Sequence, residues 1–444
     1  MLLDFKVKNY KSFVEEASFS MIPAPWQTGL DYSLLKKKIG RNTVKGLSTS
    51  VIYGPNASGK TNVIGAMDTM RSIVLQGNIR NSEEKGQSPN QAATSLELIP
   101  NNTLTERKPV EFYIDFMEDR NRIQYAMHMD IGLFLETNYS RKIEMEKLTV
   151  NGIDVFERGE KLTINYSKKL EDFYQSGIAD NMAGIYGIAQ NSLDQEELFL
   201  MNGFKLMISR KLAELIQNWF ANKFMVIYRA DSMQLIKRFS DPQKKGVFVE
   251  KTTDEAAKIF GINSNAVGYI VKDDDTEAKL CSIIKNVDNG KSVAMAAEIF
   301  ESYGTIRFIN MFPLVLQAIQ TGGTLVVDEF DASIHPMALM SIINIFHNDE
   351  INIHRAQLIF NTHNPIFLNS NLFRRDEVKF VERDDDTHES ILYALSDFGT
   401  SGERGVRKHE DYMKNYFISQ YGAIKNVDFS PLFEEFVSAN EGGI

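Results

Sequence analysis

The sequence predicts an α/β fold: a phosphate-binding loop joins a buried strand to a helix, with an antiparallel β lobe and a helical insert around it. Three observations carry that expectation. Gly54-Pro55-Asn56-Ala57-Ser58-Gly59-Lys60-Thr61 is a complete G-x-x-x-x-G-K-[ST] loop. It follows a β-like run, Ser50-Val51-Ile52-Tyr53, and precedes Val63, Ile64, Met67, Met70, Ile73 and Val74 at helical spacing, stopped by Gly77. A second apolar run, Thr324-Leu325-Val326-Val327-Asp328-Glu329, closes on two carboxylates, the Walker B pattern.

Each motif has a physical reason. Glycines let the loop backbone wrap a phosphate, so that consecutive N–H groups and the positive helix end face the anion. Lys60 would reach the β/γ-phosphates and Thr61 would place its hydroxyl on Mg²⁺. Asp328 would help hold Mg²⁺, and Glu329 stands where a base could orient or deprotonate an attacking water.

Between these motifs the pattern changes three times. Val110, Phe112, Ile114 and Phe116 alternate, and Ile123, Tyr125, Met127, Met129 and Ile131 answer them across a Glu118-Asp119-Arg120-Asn121 turn. A second hairpin is expected around Asn151-Gly152. Residues 166–262 read as a helical insert. Within it, Glu196 to Asn222 has Leu198, Leu200, Phe204, Leu206, Met207, Leu212, Leu215 and Ile216 as candidate buried positions, and no sustained heptads. Strands return at Ala278 to Lys285 and, after an Asp288-Asn289-Gly290 turn, at Ala294 to Phe300. The predicted division is therefore 1–165 and 263–444 as two parts of one head, with 166–262 between them.

Glu301-Ser302-Tyr303-Gly304-Thr305 opens a helix-like segment running toward Gln320, with a kink expected at Pro313. Asp331-Ala332-Ser333-Ile334-His335-Pro336 follows Walker B. A strand, Gln357-Leu358-Ile359-Phe360, then leads to Asn361-Thr362-His363-Asn364-Pro365. This order resembles the ABC-type ATPase heads of the SMC, RecF and OLD families, whose elements are a signature, Walker B, a D-loop and a switch histidine. The signature departs from the transporter form, with Ser-Tyr-Gly in place of Ser-Gly-Gly. Leu3 to Phe13 looks like the first strand and N-[FY]-[KR]-S-F turn of RecF/OLD-like heads. Phe380-Val381-Glu382-Arg383, Leu395-Ser396-Asp397-Phe398 and Gln420-Tyr421-Gly422-Ala423-Ile424 resemble the tail of stand-alone OLD-like, RloA-like, abortive-infection ATPases. Proteins of that group partner a separate effector, as in the Septu and PARIS systems.

The resemblance implies an ABC-type head that binds ATP and Mg²⁺. Ser302 and Gly304 would contact a γ-phosphate held by a second copy, giving a homodimer or higher oligomer. His363 would sense or polarise that phosphate. A Q-loop glutamine is not assignable, although Gln87 and Gln91 lie in the broad region.

Bulk properties fit an intracellular enzyme. The length allows about two to three domains. A single cysteine, Cys281, excludes a disulfide framework and reads as a buried small hydrophobe. No signal pattern and no membrane span are expected, so the location reads as cytoplasmic. A net charge of −10 argues against a general nucleic-acid coat. Lys36-Lys37-Lys38 with Arg41 and Lys45, and Arg374-Arg375, read as solvated loops, with DNA or an acidic partner as the alternative. Asp273-Asp274-Asp275 and Asp384-Asp385-Asp386 read as turn tips.

Three functions compete at this stage. One is an ATP-dependent switch controlling a separate effector in anti-phage defence. A second is a RecF-like DNA-clamp ATPase. The third is an OLD-type nuclease, which needs a TOPRIM domain after His363. Glu382 superficially matches a TOPRIM strand end, but no later Asp-x-Asp follows on a second apolar strand, so Glu382 reads as structural.

Overall fold

A computed structural model describes the 444-residue chain except residues 26, 28, 40–41, 81–95, 137–138, 229–245, 272–276, 287–289, 400–404, 408–409, 426 and 442–444. Arg41, Gln87, Gln91, Asp273 to Asp275, Asp288 and Asn289 lie outside the described residues.

The centre is a six-stranded sheet in the order Phe224–Ile227, Thr324–Val327, Gln357–Asn361, Thr49–Tyr53, Val378–Arg383, Ser390–Ala394. The first five strands are parallel and the last is antiparallel. The three strands from Thr324 to Tyr53 in that order are buried at every position, as a sheet covered on both faces requires. Alternate residues serve different cores. Ile52, Val326 and Ile359 pack toward the helix Lys60–Gln76. Val51, Tyr53, Leu325, Val327 and Phe360 pack with residues of the helices Tyr303–Thr321 and Pro336–His347.

The β lobe is a seven-stranded antiparallel sheet running Leu162–Ile164, Ile153–Arg158, Lys142–Val150, Asn121–Asp130, Val110–Glu118, Leu2–Lys8, Ala17–Ser20. The expected hairpin pairs Phe112 with Met127 and Ile114 with Tyr125. Asp119 and Arg120 both have positive φ, as do Asn151 and Gly152, which matches tight hairpin turns twisted with their strands. The inward face joins the helix Lys60–Gln76 in one core.

The segment 166–262 is not a single helical body. Its helices Ile178–Asn191 and Arg210–Asn218 send Ala189, Leu212, Ala213 and Ile216 into the same core as the β lobe. Arg71 of the helix Lys60–Gln76 donates to the carbonyls of Phe220 and Phe224, each at 2.9 Å. Phe224–Ile227 then enters the central sheet beside the Walker B strand. Leu206, expected inside, is 75% exposed, because the short helix Lys205–Met207 turns that position outward.

A separate four-stranded antiparallel sheet, Gly246–Phe248, Ala266–Ile270, Lys279–Lys285, Ser292–Ala296, packs against the helix Lys251–Phe260 and against Ile309. The strand expected to Phe300 stops at Ala296, and Ala297–Phe300 is a helical turn. The helix Tyr303–Thr321 continues through Pro313. Cys281 is buried.

Arg374-Arg375 is not a solvated loop. Both side chains are buried. Arg374 pairs with Asp376 at 2.9 Å, and Arg375 donates to the Phe398 and Leu395 carbonyls. Asp384 to Asp386 form the expected exposed tip, with Asp384 accepting from the N–H groups of Asp386 and Thr387. Among the described residues no helix is long and apolar enough to cross a membrane.

Candidate functional site

The loop Gly54 to Thr61 leaves the strand Thr49–Tyr53 at the carboxyl edge of the parallel sheet and opens the helix Lys60–Gln76. A Cβ at Gly54 would lie 2.2 Å from the Val381 carbonyl oxygen. One at Gly59 would lie 2.8 Å from the hydroxyls of Ser12 and Ser390, and both glycines have positive φ. The loop is therefore packed too closely for any side chain at these points. Pro55, Asn56 and Ala57 form its outer rim. Ser390 Oγ donates to the Ser58 carbonyl at 2.7 Å, and the Ser58 hydroxyl is buried with no hydrogen-bond partner.

Lys60 Nζ donates to the loop carbonyls of Gly54 and Pro55 at 2.8 and 2.9 Å. Burial strips water from the ammonium and brings its pKa down to about 8, against the opposing pull of Asp328, Glu329 and Asp331. Thr61 Oγ1 donates to Asp328 Oδ1 at 3.1 Å. Walker A and Walker B, far apart in sequence, thus meet through the two residues expected to hold a cation.

Two residues missed by sequence reasoning organise this corner. Asn361 ends the strand Gln357–Asn361 and is buried. Its Nδ2 donates to Asp328 Oδ1 at 2.5 Å, and its Oδ1 accepts the Glu329 backbone N–H. Arg307, buried on the helix Tyr303–Thr321, donates to the Glu329 carbonyl. Glu329 sits at φ 51°, a conformation costing a non-glycine residue about 1–2 kcal/mol. Asn361 and Arg307 hold its peptide groups from both sides.

Among the described residues, Ser302 and Gly304 make their close contacts with Thr305 and Ser333. Ser302 is exposed and caps its own helix, accepting from Thr305 N at 3.1 Å. A Cβ on Gly304 would fall 2.1 Å from the Ser333 carbonyl, so glycine is what lets the helix start lie on the D-loop. His363 follows the strand Gln357–Asn361 with its side chain exposed toward the loop cluster. Its pKa is lowered by partial desolvation and then by the Lys60 charge, with Asp331 and Asp328 opposing.

ATP and Mg²⁺ fit these residues. The loop's two glycines hold its backbone tight against the neighbouring strands, the orphaned Ser58 hydroxyl lies within the loop, and Thr61 with Asp328 offers the hard oxygen donors Mg²⁺ requires.

The fold and this corner define a P-loop, ATPase-type α/β protein. The profile of the family described as "AAA domain, putative AbiEii toxin, Type IV TA system" matches residues 50–169 and 211–369, well over half of the chain, and the chain belongs to that family. Among solved structures, the SMC head domain from Thermotoga maritima is similar over 88% of this chain and 98% of that one, at 11% identity and a TM-score of 0.35. No curated protein matches the sequence.

Proposed function

We propose that this chain binds and hydrolyses ATP and works as a nucleotide-dependent switch of the ABC, OLD-like kind. Two heads close over bound ATP, reopen after hydrolysis, and so control a separate effector protein in bacterial anti-phage defence. The observation that supports this most is the meeting of Thr61 with Asp328 beside Lys60.

Each residue has a role in that reading. Lys60 exchanges the Gly54 and Pro55 carbonyls for phosphate oxygens. Thr61 and Asp328 hold Mg²⁺, which supplies positive charge against the phosphate oxygens. Glu329 accepts the proton of the attacking water, its backbone fixed by Asn361 and Arg307. His363 reports on the phosphate nearest Lys60, a role supported by the influence of the Lys60 charge on its ring. Ser302, exposed at a helix start, is available to a nucleotide carried by a second copy. The DNA-clamp reading receives less support, since Arg374 and Arg375 are spent inside the fold.

Three variants test it. Lys60→Ala should abolish ATP binding by calorimetry; affinity within a few-fold of wild type would remove the loop from the mechanism. Glu329→Gln should keep binding and lower kcat by about 10²–10⁴. Without turnover it should also accumulate an ATP-dependent higher-mass species in light scattering, and Ser302→Arg in that background should prevent it. Wild-type turnover in Glu329→Gln would refute the base assignment, and equal mass with and without Mg²⁺-ATP would refute nucleotide-driven closure.

A further inference from the structure

Tail segments whose Val381 and Ser390 back the phosphate loop present other side chains to one cavity of about 640 Å³. Glu382 comes from the strand Val378–Arg383, Tyr393 from Ser390–Ala394, Asp397 and Phe398 from the turn that follows, and Gln420 and Tyr421 from the segment before Gly422. The register explains part of the convergence. Phe380 pairs with Tyr393 and Glu382 with Ile391, so all four project from one face of the sheet edge.

The wall has two chemistries. Tyr393 and Phe398 face the cavity, backed by the buried rings of Phe380 and Tyr421 in a connected aromatic cluster with neighbouring ring centroids 5.7 to 5.9 Å apart. At its border stands the half-buried carboxylate of Glu382. Its hydrogen bond is to the Tyr393 hydroxyl at 3.2 Å, and that hydroxyl also faces the Tyr421 carbonyl at 2.8 Å. One proton cannot fully serve both acceptors, and the shorter contact favours the carbonyl. Among the described residues no cation lies within ion-pair distance of Glu382 or of Asp397. Asp397 accepts from Ala394 N at 2.8 Å. The nearby guanidinium of Arg375 is turned to the Phe398 and Leu395 carbonyls. A Cβ on Gly422, at φ 71°, would come within 2.8 Å of Glu382 Oε2 and 2.9 Å of the Tyr393 hydroxyl, so the backbone there closes around the carboxylate without covering it with a side chain.

We propose that this cavity binds an alkyl-guanidinium or alkyl-ammonium group. A carboxylate short of donors at the border of aromatic faces complements a cation with an apolar stem. Glu382 would take the charge, and the rings of Tyr393 and Phe398 would take the stem and the flat face of the cation. The group comes either from a basic side chain of a partner protein or from a free amine. The site is separate from the nucleotide corner and does not depend on the ATPase reading.

The full chain is titrated with agmatine and with the capped peptide acetyl-Gly-Arg-Gly-amide, followed by saturation-transfer NMR. The matching citrulline peptide has the same shape without the charge. Saturable binding at about millimolar or tighter is expected. It should be at least about tenfold weaker for the citrulline peptide and for agmatine against Glu382→Gln. Binding of agmatine alone assigns the site to free amines; binding of the arginine peptide at least as tightly assigns it to a partner's side chain. Saturable binding of the arginine and citrulline peptides with equal affinity, or no saturable binding of either cationic probe, overturns the proposal. The citrulline comparison uses the wild-type chain, so the test stands even if Glu382→Gln fails to fold.

Discussion

Asn361→Ala isolates the contact on which the carboxylate corner depends. The substitution removes a donor 2.5 Å from Asp328 Oδ1 and the acceptor of the Glu329 N–H, and it reaches the loop Gly54 to Thr61 through the Asp328 oxygen that Thr61 shares. A hydrogen bond to a charged group contributes about 1.5–3 kcal/mol, and a buried donor left alone costs about 1–3 kcal/mol. Part of that is recovered as water enters the vacated space, so a stability loss of about 3 kcal/mol is expected. The kinetic effect is separate. Glu329 loses the acceptor of its N–H, one of the groups that hold its left-handed backbone, so its carboxylate samples more positions. A barrier rise of about 1.4–2.7 kcal/mol lowers kcat about 10–100-fold. ATP affinity should change by less than about threefold, because Lys60 and the loop glycines carry binding. Phosphate release under saturating ATP, calorimetric ATP titration and thermal unfolding measure the three quantities. A variant with kcat within about twofold of wild type would show that Glu329 needs no support from the strand Gln357–Asn361, and the reasoning would fail.

Two further outcomes follow from particular contacts. Gly304→Ala places a methyl group 2.1 Å from the Ser333 carbonyl, so although alanine favours helix by about 1 kcal/mol the variant should be less stable by about 1–3 kcal/mol and lose ATP-dependent assembly; a raised melting temperature would contradict this. Asp68, whose pKa is raised to about 6 chiefly by burial and further by Glu97, against Arg71 and Lys11, favours the protonated form when folded, so stability falls as pH rises from about 4 through 6; Asp68→Asn should gain about 2 kcal/mol above pH 6 and nothing below pH 4, measured by urea unfolding, and a gain that does not vary with pH would refute it.

What was legible in the sequence was what periodicity writes locally. The helix after the loop buries Val63, Ile64, Met67, Met70, Ile73 and Val74 as its spacing predicts, and Gly77 ends it at φ 73°. The hairpin from Val110 was readable to the residue pair because alternation and a two-residue turn fix register. Asn361 was not readable. In sequence it is a polar residue after a strand; only the parallel register, with Val327 opposite Phe360, sets the next residue, Asp328, opposite Asn361. Phe224–Ile227 was hidden for a related reason. Four apolar residues after a helical stretch look like its continuation, and nothing local says that their partners lie at Thr324–Val327. Arg374-Arg375 misled because adjacent cations look solvated until Asp376 and the Phe398 carbonyl are placed against them.

The placement of Arg307 bears on how one head could respond to another. A switch needs an element that both the nucleotide and the neighbouring copy can move. The helix Tyr303–Thr321 begins at exposed Ser302, rests on Ser333 through Gly304, and carries Arg307 to the Glu329 carbonyl. Its first two turns therefore touch a surface open to a partner, the D-loop and the backbone of the proposed base. Gly304 leaves no slack at the D-loop, since even a methyl group would collide there, and Arg307 is buried. A displacement of this helix start must then be taken up by Ser333 or passed to Glu329, because close-packed contacts of this kind shift between discrete arrangements and do not stretch. Asn361 opposes that pull from the far side and ties it to the strand that ends at His363. In the proposed closed dimer, contact with a second copy at Ser302 and occupancy of the nucleotide site would thus act on the two peptide groups that flank Glu329, which is a physical route by which hydrolysis would depend on assembly.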